Sequence, residues 1–154
     1  MVSSMSATAR RPSTRQRHQG SQVTSASIEY SIDARAQLVL VEYRADAGFE
    51  EWASSMEAIL ADPAYRPGFS FLVDRCHASA PSTADLHRMI AFIGDRAGRF
   101  ADSRWAIVTY SPADFGMARM TESLATDQPT TIRVFSNRDD GLRWLVNPNS
   151  TDAT

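Results

Sequence analysis

"FSFLVDRCHASAPSTADL", residues 69–86, decides the fold. Phe69–Arg75 is a run of aromatic and branched apolar residues of strand length. Ser82-Thr83-Ala84-Asp85 has the chemistry of a helix start. The Ser82 hydroxyl can accept from a free first-turn N–H, and Asp85 favours the positive end of the helix dipole. Leu86, Met89, Ile90, Ile93 and Ala97 follow at helical spacing. A strand passing into an amphipathic helix is half of a β-α-β crossover, so a mostly parallel sheet with helices packed on it is expected.

The pattern repeats on both sides. "IEYSI" alternates apolar and polar residues, "DARA" is a turn and "QLVLVEY" a second strand, which makes Ile28–Tyr43 a β-hairpin. A helix from Ala47 to Ala61 carries Phe49, Trp52, Ala53, Met56 and Leu60 on one stripe, with Asp46 as its expected cap. Pro63 and Pro67 end it. Downstream, "RWAIVTY" (Arg104–Tyr110) is an apolar strand of the kind covered on both faces. "SPADFGMARMTESLATD" is a helix with Ser111 as N-cap and Pro112 at its first position. "TIRVF" (Thr131–Phe135) is the last strand, and Asn137 caps a final helix with Leu142 and Leu145 inward. The expected domain is thus α/β, β-β-α-β-α-β-α-β-α over residues 28–147, with the hairpin as an antiparallel edge. Residues 148–154 are expected to fray.

Composition narrows the function classes. A chain of 154 residues, 43% apolar, is sufficient for one core without metals or disulfides. Its single cysteine suits a reducing compartment, so a cytoplasmic setting is expected. No stretch approaches the ~18 apolar residues of a membrane span, and the N-terminus has no apolar core of a secretory signal. Charge is unevenly placed. Residues 1–27 hold Arg10, Arg11, Arg15 and Arg17 and no acid, while the remaining twelve arginines face eighteen Asp and Glu, leaving −6. The first segment is poor in large apolar residues and reads as a disordered basic tail, able to touch nucleic acid only weakly. The acidic remainder argues against the domain itself being a nucleic-acid binder.

With "YSIDARAQLVLVEY", "ILADPAYRPGFSFLVD", "FGMARMTESLA" and "RVFSNRDDGLRWL" in this order, the chain resembles the STAS domain, the fold of bacterial anti-sigma-factor antagonists. It more closely resembles the SpoIIAA-like group of small bacterial proteins, placed near both STAS and the CRAL-TRIO lipid-transfer domains. The resemblance spans nearly all of Tyr30 to Leu145. It implies a binding or regulatory module rather than a catalyst, with no cofactor. In antagonist STAS domains the third strand leads to an Asp-Ser-Ser-Gly motif whose serine is phosphorylated. Laid alongside, Ala84 takes the place of that serine and Asp85 that of the glycine, so the family's phospho-switch does not carry over.

Three chemistries compete for the 74–86 stretch. Ser79, Ser82 and Thr83 are the phospho-acceptor candidates, although Asp85 would oppose an added phosphate. Cys76 with His77 or His87, oriented by Asp74, is the candidate nucleophilic centre of a hydrolase or transferase. Adjacent strand-end residues point to opposite faces, however, and Cys76, His77 and His87 match no zinc spacing. The third reading is a ligand site beyond the carboxyl ends of the strands, where helix N-termini present free N–H groups. Arg75, His77, Ser79, Ser82, Tyr110 and Phe115 are its candidate residues, for a small anionic or lipidic ligand. Trp52, Met56, Met117 and Met120 read as core, or as the lining of an acyl-sized gap. The expected role is a non-catalytic STAS-like module for such a ligand or for a regulatory protein partner; the oligomeric state is open.

Overall fold

The computed structural model describes residues 22–24, 27–110, 112–124 and 130–147. Through them run β1 (Gln22–Thr24), β2 (Ile28–Asp33), β3 (Leu38–Tyr43), α1 (Phe49–Ala61), β4 (Ser70–Asp74), α2 (Thr83–Asp95), α3 (Ala97–Phe100), β5 (Arg104–Val108), α4 (Pro112–Leu124), β6 (Thr131–Phe135) and α5 (Arg138–Val146). The six strands form one sheet in sequence order. β1, β2 and β3 pair antiparallel, and β3 through β6 are parallel. This is the expected α/β architecture, with two additions.

The first addition is β1. Gln22–Thr24 pair with Glu29–Ser31 of β2, and Ser27 is buried with its amide donating to Glu51 at 2.8 Å. The tail expected over residues 1–27 therefore gives up its C-terminal end to the sheet. Its other residues, and the C-terminal 148–154, lie outside the described set. The second addition is α3. Arg96 interrupts the second helix, so Ala97, expected on the α2 stripe, starts a separate turn and is exposed. That turn seats Phe100 in the core at 0% exposure.

Local chemistry explains the element ends. The Asp33 carboxylate accepts from the amides of Arg35 and Ala36, both at 3.1 Å, and closes the hairpin turn. Gln37, expected in the strand, instead takes a left-handed φ of 56° in that turn, so β3 starts one residue later. Ser82 caps α2 by accepting from Asp85 N at 3.0 Å, and Asn137 caps α5 by accepting from Asp140 N at 2.8 Å. Asp46 does not cap α1. Gly48 holds that place without a side-chain bond, and Asp46 Oδ1 accepts from Ser79 N at 2.6 Å, tying the β3–α1 and β4–α2 loops together. The expected cap Ser111 lies outside the described residues.

Each parallel crossover joins neighbouring strands, so right-handed crossovers carry α1, α2 and α4 over one face. Ile28, Tyr30, Val39, Val41, Phe71, Val73, Trp105 and Ile107 point into that face, beneath Trp52, Met56 and Ile59 of α1 and Leu86, Ile90 and Ile93 of α2. Phe71 and Trp105 stack there with centroids 4.3 Å apart, and Phe100 meets both rings. The alternate residues Leu72, Ala106, Val108 and Phe135 form a second core under Trp144 and Leu145 of α5.

α5 reaches the sheet because Gly141 has no side chain. A Cβ there would stand 3.3 Å from both the Ala106 Cβ and the Leu72 Cδ1. Replacing Gly141 by valine is expected to lift α5 and destabilise the domain by about 1–3 kcal/mol, read as a lower urea midpoint; an unchanged midpoint would show that α5 is not seated this closely.

Candidate functional site

The last fully paired row across the parallel sheet is Glu42–Asp74–Val108–Phe135. The ladder continues one residue further, with Arg75 N donating to Val108 O at 2.9 Å and Thr109 N donating to Phe135 O at 3.1 Å. Side chains alternate between faces along a strand. The row ending at Asp74 therefore faces α5, and the next row, Tyr43–Arg75–Thr109, faces α2.

These two rows treat charge in opposite ways. On the α5 side, Arg138 Nη1 meets Asp74 Oδ2 at 3.1 Å and Glu42 Oε2 at 3.3 Å, and Arg44 Nη2 stands 3.8 Å from Glu42 Oε1, so two carboxylates face two cations. On the α2 side, Arg75 is only 9% exposed. Its guanidinium lies 4.2 Å from the Tyr43 ring centroid and donates to the Ser79 carbonyl. Among the described residues no carboxylate comes within ion-pair distance of it. Arg75 thus has no acid partner among the described residues, although a buried cation ordinarily has one.

Arg75, Tyr43 and Thr109 form the polar end of a cavity of about 60 Å³ between the sheet and α2. The rest of its wall is largely apolar, including Trp52, Met89, Ile90, Ile93, Trp105 and Ile107. Thr109 is 2% exposed and its Oγ1 has no hydrogen-bond partner among the described residues. Leaving a buried hydroxyl unpaired costs on the order of 1–3 kcal/mol. Burial pushes the Tyr43 phenol up from its ordinary value, with the Arg75 charge opposing that shift. The phenol thus stays protonated at neutral pH.

Of the expected ligand-site residues whose side chains are described, Arg75 lines this cavity and His77, Ser79, Ser82 and Tyr110 do not. His77 is exposed. Ser79 is exposed too and contributes its backbone, bracing Arg75 through its carbonyl and Asp46 through its amide. Ser82 is occupied as the α2 cap, and Thr83 is the exposed first residue of that helix. Tyr110 is 58% exposed and walls nothing. The Phe115 and Met117 side chains are outside the described set. Tyr43 and Thr109 were missed, although both continue the inward phase of their strands by one residue, a signal present in "VLVEY" and "WAIVT".

Cys76 stands apart from the cavity. Its amide donates to Asp74 Oδ1 at 3.0 Å. Burial and the Asp74 carboxylate push its thiol up to about 11, opposite to what a thiolate nucleophile needs. Among the described residues no cluster of three His, Cys, Asp or Glu is arranged to hold a metal, and no helix is long and apolar enough to cross a membrane.

Two outcomes follow. Iodoacetamide should label Cys76 slowly at pH 7.5 and fast only as pH climbs toward 11, and Asp74→Asn should shift that rise to lower pH because the carboxylate disfavours the thiolate; rapid labelling at pH 7.5 would contradict this environment. Thr109→Val removes the unpaired hydroxyl and should raise stability by about 1 kcal/mol, measured by urea unfolding of the ligand-free chain; a loss of that size would mean the hydroxyl has a partner.

Neither a protein-family model nor a curated protein sequence matches the chain. Among the solved structures similar to it is an uncharacterised protein from the DUF3478 family with a SpoIIAA-like fold from Shewanella loihica PV-4. The likeness covers 82% of this chain and 91% of that one, at 16% sequence identity and a TM-score of 0.49.

Proposed function

We propose that the chain is a non-catalytic binding module for a small ligand with an apolar body and one anionic end. The observation that carries this reading is Arg75, a buried cation without a carboxylate partner among the described residues, at the polar end of an apolar cavity. A site that keeps a cation desolvated and uncompensated gains most from an anion that enters with an apolar group attached. Among the described residues the geometry offers no activated nucleophile beside it, since the Cys76 thiol is held protonated and does not line the cavity. That weighs against a hydrolase or transferase centred on Cys76.

A regulatory protein partner engaging α2 has less support. Leu86, Met89, Ile90, Phe92 and Ile93 of that helix are all buried. The exposed large apolar residues among those described, Tyr110, Met120 and Val146, come from separate parts of the chain.

Thermal unfolding of the full chain against carboxylates, phosphates and sulfonates, each matched in ionic strength with chloride, tests the reading. At a concentration near 100 times Kd, at least one anion should raise Tm by on the order of 5–10 °C. Arg75→Met, which keeps an apolar stem over Tyr43, should abolish the shift. No shift beyond chloride, or a shift that survives Arg75→Met, would sink the proposal.

A further inference from the structure

Resting on that reading, we infer that loop 76–82 is a strap across the entrance of the cavity, latched at Ser79 by Arg75 and Asp46, and that an anion taken up by Arg75 releases the latch. The entrance follows from burial. Among the described lining residues all are buried except Pro81 and Thr121, so the mouth lies between the strap and α4. The need for a moving part follows from size. The cavity measures about 60 Å³, well under the ~150 Å³ in which an apolar cavity holds benzene. A ligand with an apolar body therefore enters only when one wall gives way.

The strap is the wall held most lightly. α2 buries five side chains, and ion pairs from Arg88 to Glu50 and from Arg96 to Glu57 tie it to α1. α4 is fastened to β6 through Glu122, whose Oε2 accepts from Val134 N at 2.7 Å. Within 76–82 only Ala78 is buried, and a single methyl group is a small apolar anchor. The root of the strap is fixed by Cys76 N on Asp74 Oδ1 at 3.0 Å and Ala78 N on Arg75 O at 3.1 Å; its far end is the Ser82 cap. Its middle hangs on Ser79, whose carbonyl accepts from Arg75 Nη2 and whose amide donates to the exposed Asp46.

The two latch bonds differ in what competes for them. Asp46 lies outside the cavity wall and holds the Ser79 amide whatever the cavity contains. The guanidinium is the ligand's own anchor, and an anion is a stronger acceptor for it than a peptide carbonyl. An anion at Arg75 therefore draws the guanidinium from the Ser79 carbonyl and leaves the strap's middle on Asp46 alone. The anionic end thus favours the open strap by differential affinity, and the apolar end follows it through the mouth. Asp46 is a positioning residue, acting on the site through Ser79.

Amide hydrogen exchange of the full chain, read residue by residue by NMR, tests the inference. In the ligand-free parent the Ser79 amide should exchange slowly, although its residue is exposed. Asp46→Ala should speed it roughly tenfold, while Asp46→Asn, which keeps an accepting oxygen, should stay within about threefold of the parent. The Cys76 amide, held by Asp74, should not change in either variant. Equal speeding of both amides would mean generally loosened structure and would overturn the latch, as would a Ser79 amide indifferent to Asp46→Ala. Acetate, inorganic phosphate and methanesulfonate, matched in ionic strength with chloride, supply the second arm. Whichever raises Tm should speed the Ser79 amide by about threefold or more in the parent and add nothing in Arg75→Met. An anion that raises Tm through Arg75 but slows the Ser79 amide, or leaves it unchanged, would overturn the release step while the binding-module reading stands. No response of either Tm or the amide to any of the three would overturn both.

Discussion

The two-residue alternation of side chains along β3, β4 and β5 is the constraint on which the rest of this molecule depends. These strands are covered on both faces, so neighbouring residues in the sequence serve different cores. At the carboxyl ends the same alternation separates chemistry as well as packing. Glu42 and Asp74 go to the α5 side, where Arg138 compensates them, while Tyr43, Arg75 and Thr109 go to the α2 side. One residue of register divides a closed ion cluster from an open one. A slip of one position would exchange the two sets and bury the carboxylates among apolar side chains, which is why the register is strongly specified.

The alternation also accounts for how the two faces differ in function. α5 is drawn close to the sheet by Gly141 and Ala106, and its first turn delivers Arg138 to the acids. That side is filled and neutralised. On the other side, bulky pairs such as Phe71 and Trp105 fill the middle of the core. Toward the strand ends the side chains shorten to Ile107 and Thr109, and the gap under α2 remains. The proposed site is thus where a tightly packed layer runs out of volume beside a cation.

Most of the fold was legible because periodicity and punctuation agreed. The hairpin, the parallel strands and the caps Ser82 and Asn137 all follow from residues whose local chemistry has one reading. What sequence missed was decided at longer range. Gln22–Thr24 lack an apolar pattern and gain their place by pairing with an existing strand. Asp46 had the chemistry of a cap, but a loop amide from Ser79, far away in sequence, claimed its carboxylate. The site was half legible. Arg75 stood out as a charged residue ending an apolar strand; Tyr43 and Thr109 did not, because single polar residues at strand ends are ordinary until the sheet aligns them. His77, Ser79 and Ser82 drew interest through their chemistry, and the loop spends them on solvent and on its own backbone.

The sequential strand order has a kinetic consequence. Among the described residues every strand pairs only with its neighbours in the chain, so each new parallel pairing closes a loop of one helix, or of α2 and α3 between β4 and β5, and its connections. The sheet can therefore grow in one direction from the β2–β3 hairpin as the polypeptide leaves the ribosome, each helix covering the preceding strands before the next is made. α5 is made last, and the face that holds Leu72, Ala106 and Val108 stays wet until it arrives. Assembly of this domain is thus gated by its final helix, whose docking dries the second core and supplies the cation for Glu42 and Asp74 in a single step.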